Sequence, residues 1–102
     1  MLDVAWLTAD GLPFSQDDWR DADLLAVTFA SRLQGAIGRA HLVFNRGDAA
    51  RAISMPAARD NHEWTLALDS ARGFVGENGC VAREKICVGP RSVVAYVERA
   101  PL

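Results

Sequence analysis

The sequence predicts an all-β fold, an antiparallel β-sandwich of about seven to eight short strands, and three observations predict it. Apolar residues recur with a period of two in five segments, as they do on a strand with one covered face. Turn-forming residues interrupt these segments at spacings of roughly 8 to 15 positions, the rhythm of an all-β chain. No stretch carries the 3.6-residue period of a helix ten residues long. Sheets that are half polar and half apolar must bury one face against another, and a sandwich does so.

Each element has a local reason. Residues 4–8 read as the first strand, and Asp10-Gly11 as a two-residue hairpin turn, because glycine accepts the positive φ that such a turn imposes. Leu12-Pro13-Phe14 leads away from it. Ser15-Gln16-Asp17-Asp18 has the S-x-x-D form in which a hydroxyl and a carboxylate satisfy free amides at a helix start, so Trp19 rides on one short helical turn. From Leu24 to Leu33, the apolar Leu25, Val27, Phe29 and Leu33 alternate with a set that holds Thr28 and Arg32, which gives a half-buried strand. Ala40, Leu42 and Phe44 repeat the pattern, as do Ile53 and Met55, then Trp64, Leu66 and Leu68 against Thr65 and Asp69. Val93, Ala95 and Val97 alternate with Ser92 and Glu98. The turns fall at residues 35–38, 45–48, 59–61, 76–79 and 89–90. Val81 and residues 86–88, around the polar Arg83-Glu84-Lys85, read as one more hairpin. The alanine-rich stretch 49–58 is the one candidate for a helix, but Met55-Pro56 stops it as a strand stops at a proline.

A chain of 102 residues fits one domain over its whole span, and folding at that size buries roughly 60 to 65 % of the unfolded surface. A modest sandwich therefore stands without metal or disulfide. Eleven Lys and Arg oppose thirteen Asp and Glu for a formal charge of -2, and the arginines are scattered, which argues against a nucleic-acid partner. No apolar run approaches the roughly 20 residues of a membrane helix. The start MLDVAWLTAD lacks the basic head and unbroken apolar stretch of a signal peptide, so the expected setting is cytoplasmic. Cys80 and Cys87 suit neither a C-x-x-C motif nor a disulfide framework and are read as reduced thiols, although opposite arms of a hairpin would bring them within bridging reach.

Chemistry finds little purchase. Glycoside hydrolysis needs two carboxylates roughly 5 to 10 Å apart in a desolvating pocket. Asp17 and Asp18 are better explained by capping, and Asp69 falls beside the turn after a strand, so no catalytic residue is assigned. Ser31, Ser54 and Ser92 lie on predicted strands without a G-x-S-x-G elbow. His41 alternates outward and His62 sits in a polar turn, without the spacing of metal ligands. The glycines of residues 73–79 are spaced for a loop and not for a phosphate cradle, so neither metal nor cofactor is implied. Trp64 alternates with Leu66 and Leu68 and is assigned to the core. Trp6, Phe14 and Trp19, held by a hairpin and a capped turn, are the candidate contact residues, for another protein surface or for a glucan. Two coplanar indoles on a wet face would mark a sugar site, and a broad apolar patch a docking surface.

Taken in order, Asp3-Val4-x-Trp6, Asp10-Gly11, Asp18-Trp19, Leu33-x-Gly35, a strand ending in Asn45, Met55-Pro56, Trp64-x-Leu66-x-Leu68-Asp69-Ser70 and Arg91-Ser92-Val93-Val94 resemble the C-terminal domain of bacterial glycogen debranching enzymes of the isoamylase type. The resemblance runs over nearly the whole chain, and its specificity lies in the order and spacing of individually common words. Met55 departs from the usual leucine before Pro56, and Ser70 from the usual threonine. The family's catalytic barrel, with its aspartate nucleophile, glutamate acid and second aspartate, is missing from these residues, so no catalytic residue is carried over. The resemblance implies a non-catalytic β-sandwich that packs against and stabilises the barrel of an enzyme hydrolysing α-1,6 branch linkages in glycogen, with Trp6 and Trp19 near the junction. The alternatives are an independent α-glucan-binding module and a sandwich used for other protein contacts.

Overall fold

The computed structural model describes residues 2–33, 36–71, 73–75, 81–82 and 84–99. Gly35, the predicted 76–79 turn, Cys80 and Arg83 lie outside them, whereas residues 36–38 of the predicted 35–38 turn are strand, because the pairing of residues 24–33 with 36–45 runs up to Leu33 and Ala36. The chain runs β1 (Leu2–Leu7), α1 (Gln16–Asp21), β2 (Leu24–Leu33), β3 (Ala36–Asn45), β4 (Arg51–Ser54), β5 (Glu63–Asp69), β6 (Phe74–Val75), β7 (Val81–Ala82), β8 (Lys85–Val88) and β9 (Ser92–Arg99). The fold is all-β and antiparallel, as the period of two predicts, with seven strands of four residues or more and two of only two residues.

Two sheets of unequal size form the sandwich. The large sheet has the order β1-β2-β3-β9-β5-β6, with β7 also paired to β5, and the small one is the ribbon β4-β8. The predicted hairpin of Val81 with residues 86–88 does not form, because β7 pairs with β5 in the large sheet while β8 pairs with β4 in the small one. The chain changes sheets between those strands, and Cys87 stands as a free, exposed thiol on the ribbon. The alanine-rich stretch forms strand β4, which ends one residue before Met55-Pro56.

The ribbon lies over one face of the large sheet, and the core sits between them. Leu24, Ala26, Val43, Val94 and Trp64 of the large sheet pack with Ile53, Met55 and Val88 from the ribbon side. This assignment inverts the face read from sequence for three strands, although Val27 of β2, read as apolar and covered, is buried on the opposite face. On β2, β3 and β9 the residues turned to the ribbon are Leu24, Ala26 and Thr28, then His41, Val43 and Asn45, then Ser92, Val94 and Glu98. His41, expected on the outside, is fully buried. The apolar alternates form the opposite face.

Polar residues on the ribbon side are tolerated because they are paired. The Thr28 hydroxyl lies 2.8 Å from His41 Nδ1. Asn45 Nδ2 donates to the carbonyls of Ala49 and Gly89, and Asn45 Oδ1 accepts from the Gly47 amide at 3.0 Å, which fixes the predicted 45–48 turn. Ser92 Oγ donates to Pro90 O at 2.7 Å. At the far end Glu98, its side chain wholly buried, accepts two bonds from Arg39 and two from Arg59, and Arg39 also donates to Ala57 O at 2.8 Å. Glu98 thus ties the 57–59 connection to β3 and β9.

The opposite face is largely apolar but only partly exposed: Val27 and Thr65 are buried on it, and Val4, Trp6 and Phe44 are its exposed large apolar residues. Cross-strand partners share a face, so Trp6, Val27, Leu42, Ala95 and Leu68 make one row. Val4, Phe29, Ala40 and Val97 make the next, continued by Thr65, and Leu25, Phe44 and Val93 a third. A β-bulge between Leu66 and Leu68 brings Leu68 onto this face.

Candidate functional site

The face opposite the ribbon meets the three predicted contact residues at its corner. Gly11, at φ 81°, closes the first hairpin, with its amide donating to Thr8 O at 3.0 Å and the Thr8 amide to Leu12 O at 2.7 Å. The glycine does what the sequence requires of it, but the loop has three residues, 9–11, and not two: a tight turn followed by a glycine bulge. The returning arm pairs back on β1 through a bridge from Leu7 to Pro13 and a bond from the Phe14 amide to Trp6 O at 2.9 Å. Phe14 and Trp6 are thereby held side by side.

Helix α1 adds Trp19. Its capping box is complete, since the Asp18 amide donates to Ser15 Oγ at 3.2 Å and the Ser15 amide to Asp18 Oδ2 at 2.9 Å. A helix of six residues with no buried side chain depends on this cap and on its ring contacts. We expect Ser15→Ala to cost about 1 kcal/mol. Amide exchange in residues 16–21 should accelerate while β2 and β3 stay protected; an unchanged rate would show that the cap is dispensable.

The rings meet edge to face. Trp19 lies 5.4 Å from Trp6 at 63° and 5.0 Å from Phe14 at 69°. Such contacts stabilise the cluster by about 1 kcal/mol each. They do not make a coplanar platform. Trp6 and Trp19 remain 43 and 54 % exposed, and Val4, Leu12 and Phe44 are also exposed. Between α1 and the sheet lies a cavity of about 230 Å³, walled by Phe14, Trp19, Leu25 and Phe44 and rimmed by Asp18, Asp23 and Arg46. The structure thus joins Trp6, Phe14 and Trp19 to Leu25 and Phe44, which the sequence reading assigned to the interior.

The remaining candidates lie elsewhere. Trp64 is 1 % exposed in the core, its Nε1 donating to Pro56 O at 2.8 Å, with the Arg39 guanidinium 5.0 Å over its ring and His41 6.0 Å away. His41 Nε2 meets no hydrogen-bond partner among the described residues. Burial, and secondarily the charge of Arg39, lowers the His41 pKa from 6.5 to about 4, so the ring is neutral. Burial alone would raise the Glu98 pKa, but the bonds and charges of Arg39 and Arg59 outweigh it and hold it at about 2. Asp18 serves the cap and Asp69 accepts the Ala71 amide in a turn, consistent with their sequence reading. His62 Nδ1 lies 2.8 Å from Asp60 O in the 59–62 turn. Among the described residues no group of three or more His, Cys, Asp or Glu is placed to hold a metal ion, and no helix is long and apolar enough to cross a membrane.

The Glu98 network and the face opposite the ribbon escaped sequence reasoning. Nothing local marks Glu98 and Arg39 as partners 59 residues apart. The face opposite the ribbon did leave a trace, because β2, β3 and β9 carry apolar residues at both parities. No family model matches the chain, and no curated protein matches it.

Proposed function

We propose that the chain is a non-catalytic accessory domain that docks the aromatic corner of its large sheet, led by Trp6, Phe14 and Trp19, onto the catalytic barrel of a cytoplasmic α-1,6-glucosidase of the glycogen-debranching type. The observation that carries the docking reading is the exposed, rigidly held aromatic corner, where Trp6 and Trp19 stand with exposed Val4, Leu12 and Phe44. Clustered aromatics of limited rotamer freedom beside a shaped cavity are what anchor protein interfaces. The edge-on rings disfavour the alternative, an α-glucan platform, which needs coplanar faces. The identity of the partner rests on the ordered motifs of the sequence, from Asp3-Val4-x-Trp6 to Arg91-Ser92-Val93-Val94.

Titration with maltoheptaose followed by amide NMR separates the readings. We expect no saturable shifts at Trp6 or Trp19, and no reducing sugar released from a branched limit dextrin. Saturable indole shifts with a dissociation constant of about 1 mM or tighter would replace docking with glucan binding. Turnover abolished by a single Asp or Glu substitution within this chain would make it an enzyme.

A further inference from the structure

We infer that the cavity between α1 and the large sheet receives one aromatic side chain that projects from a partner protein and is flanked there by arginine or lysine. The inference deepens the docking reading and rests on it for the choice of this corner as the contact surface. It names the chemistry of what is docked and does not require that a barrel be the partner.

The cavity sets the size of the anchor. An apolar cavity of about 150 Å³ accepts benzene, so one of about 230 Å³ takes a single ring-bearing side chain. It is smaller than the roughly 300 to 1,000 Å³ of pockets for drug-sized ligands. Three of its walls are aromatic rings, Phe14, Trp19 and Phe44. Trp19 meets Phe14 edge to face at 5.0 Å, and a further ring entering beside them gains contacts of the same kind. The complete cap of α1 and the bond from the Phe14 amide to Trp6 O hold these walls in place before any partner arrives. Little ordering entropy is then lost on docking.

Charge selects what flanks the anchor. Residues 10–23 carry five aspartates and a single arginine, whereas the rest of the chain carries eight acidic and ten basic groups. Negative charge is thus concentrated on the arm that presents the corner. Asp18, Trp19 and Ala22 line the cavity. A step of about 100° per helical residue sets Asp21 beside them and turns Arg20, the only cation of α1, to the far side. Asp18 Oδ2 accepts from Ser15, and Oδ1 has no partner among the described residues. Asp23 is matched by Arg51 at 2.7 Å, which leaves Arg46 as the one cation on the rim. It stands against the carboxylates of Asp18 and Asp21. The exposed indoles of Trp6 and Trp19 add faces over which a guanidinium or ammonium is attracted. An acidic partner would meet the carboxylates as like charges, and a neutral glucan would gain nothing from them.

NMR of the whole chain tests the inference with three peptides as probes: acetyl-Arg-Phe-Arg-amide, acetyl-Glu-Phe-Glu-amide and acetyl-Arg-Ala-Arg-amide. From the first we expect saturable shifts at the Trp19 indole and the amides of Leu25 and Phe44, with a dissociation constant of about 1 mM or tighter. The other two should bind at least about tenfold more weakly. Asp21→Asn should weaken the Arg-Phe-Arg peptide about threefold, and Arg46→Gln should tighten it by a similar factor. Both residues are exposed, so either variant should keep the wild-type spectrum in β2 and β3. No saturation by the Arg-Phe-Arg peptide at about 5 mM, equal binding of either other peptide, or an affinity that neither variant changes overturns the inference. A chain that binds a separately expressed isoamylase-type barrel through this corner and is not displaced by the Arg-Phe-Arg peptide overturns it while leaving the docking proposal intact. A chain that binds the peptide and ignores the barrel does the reverse.

Discussion

Replacing Trp64 by alanine should destabilise the domain by about 3 to 5 kcal/mol. The indole is 1 % exposed and occupies the centre of the core between the large sheet and the ribbon side. Its removal leaves a cavity that Val43, Val94 and Val88, fixed in their strands, cannot fill without leaving register. It also strands the Pro56 carbonyl, which accepts the indole N–H, and withdraws the ring on which Arg39 lies. Domains of this size have total stabilities of about 5 to 15 kcal/mol, so the variant should melt at least roughly 12 °C lower or fail to fold. Trp64→Phe keeps a ring under Arg39 and should lose about half as much. An unchanged melting temperature for Trp64→Ala would refute the core assignment.

Acidification from pH 7.5 to 4.5 should remove about 2 to 3 kcal/mol of stability through His41 alone. Unfolded, this imidazole takes up its proton near 6.5; folded, burial delays uptake to about 4. Between those values the unfolded state binds more protons, and stability falls as pH falls. Glu98 acts in a lower window. Its carboxylate stays ionised down to about 2 in the folded chain against 4.5 unfolded, so the stabilisation it supplies above 4.5 is lost as pH drops towards 2. Urea midpoints at pH 7.5 and 4.5 measure the first effect, and the imidazole titration by NMR assigns it. A His41 that titrates near 6.5 in the folded protein would remove the basis of the prediction.

The candidate site was legible where its causes are local. The Ser15 cap, the glycine of the first hairpin and the placement of Trp19 on a short helical turn all follow from residues within four positions of one another. The meeting of Trp19 with Trp6 was half legible: the sequence supplied two rigid supports, and only the pairing of Phe14 back onto Trp6 made them converge. Phe44 and Leu25 were misplaced because alternation names two faces without saying which one is inner. Where both parities are mostly apolar, as in β2, the usual clue is weak; where one parity carries His41, as in β3, or Glu98, as in β9, it misleads, since a buried histidine or carboxylate looks like a solvent-facing one until its partner is seen.

By itself, the sequence determined the fold class, the positions of the long strands, the turns at 45–48, 59–61 and 89–90, the capped helical turn and the burial of Trp64. These depend on backbone preferences and periodicity, which act over a few residues. Tertiary structure alone decided that β3 pairs with β9 and β5 with β9, that β7 and β8 part into different sheets, and that the ribbon covers the polar-bearing face of the large sheet. Those choices compare the burial and hydrogen-bonding of whole faces formed by residues as far apart as Ala40 and Val97. The buried ion pairs of Glu98 and the Thr28–His41 contact favour closing that face internally, because an unpaired charge or imidazole has more to lose from water's removal than an alkyl side chain does. The more apolar face can stay partly exposed because its alkyl and aromatic side chains require no particular partner atom.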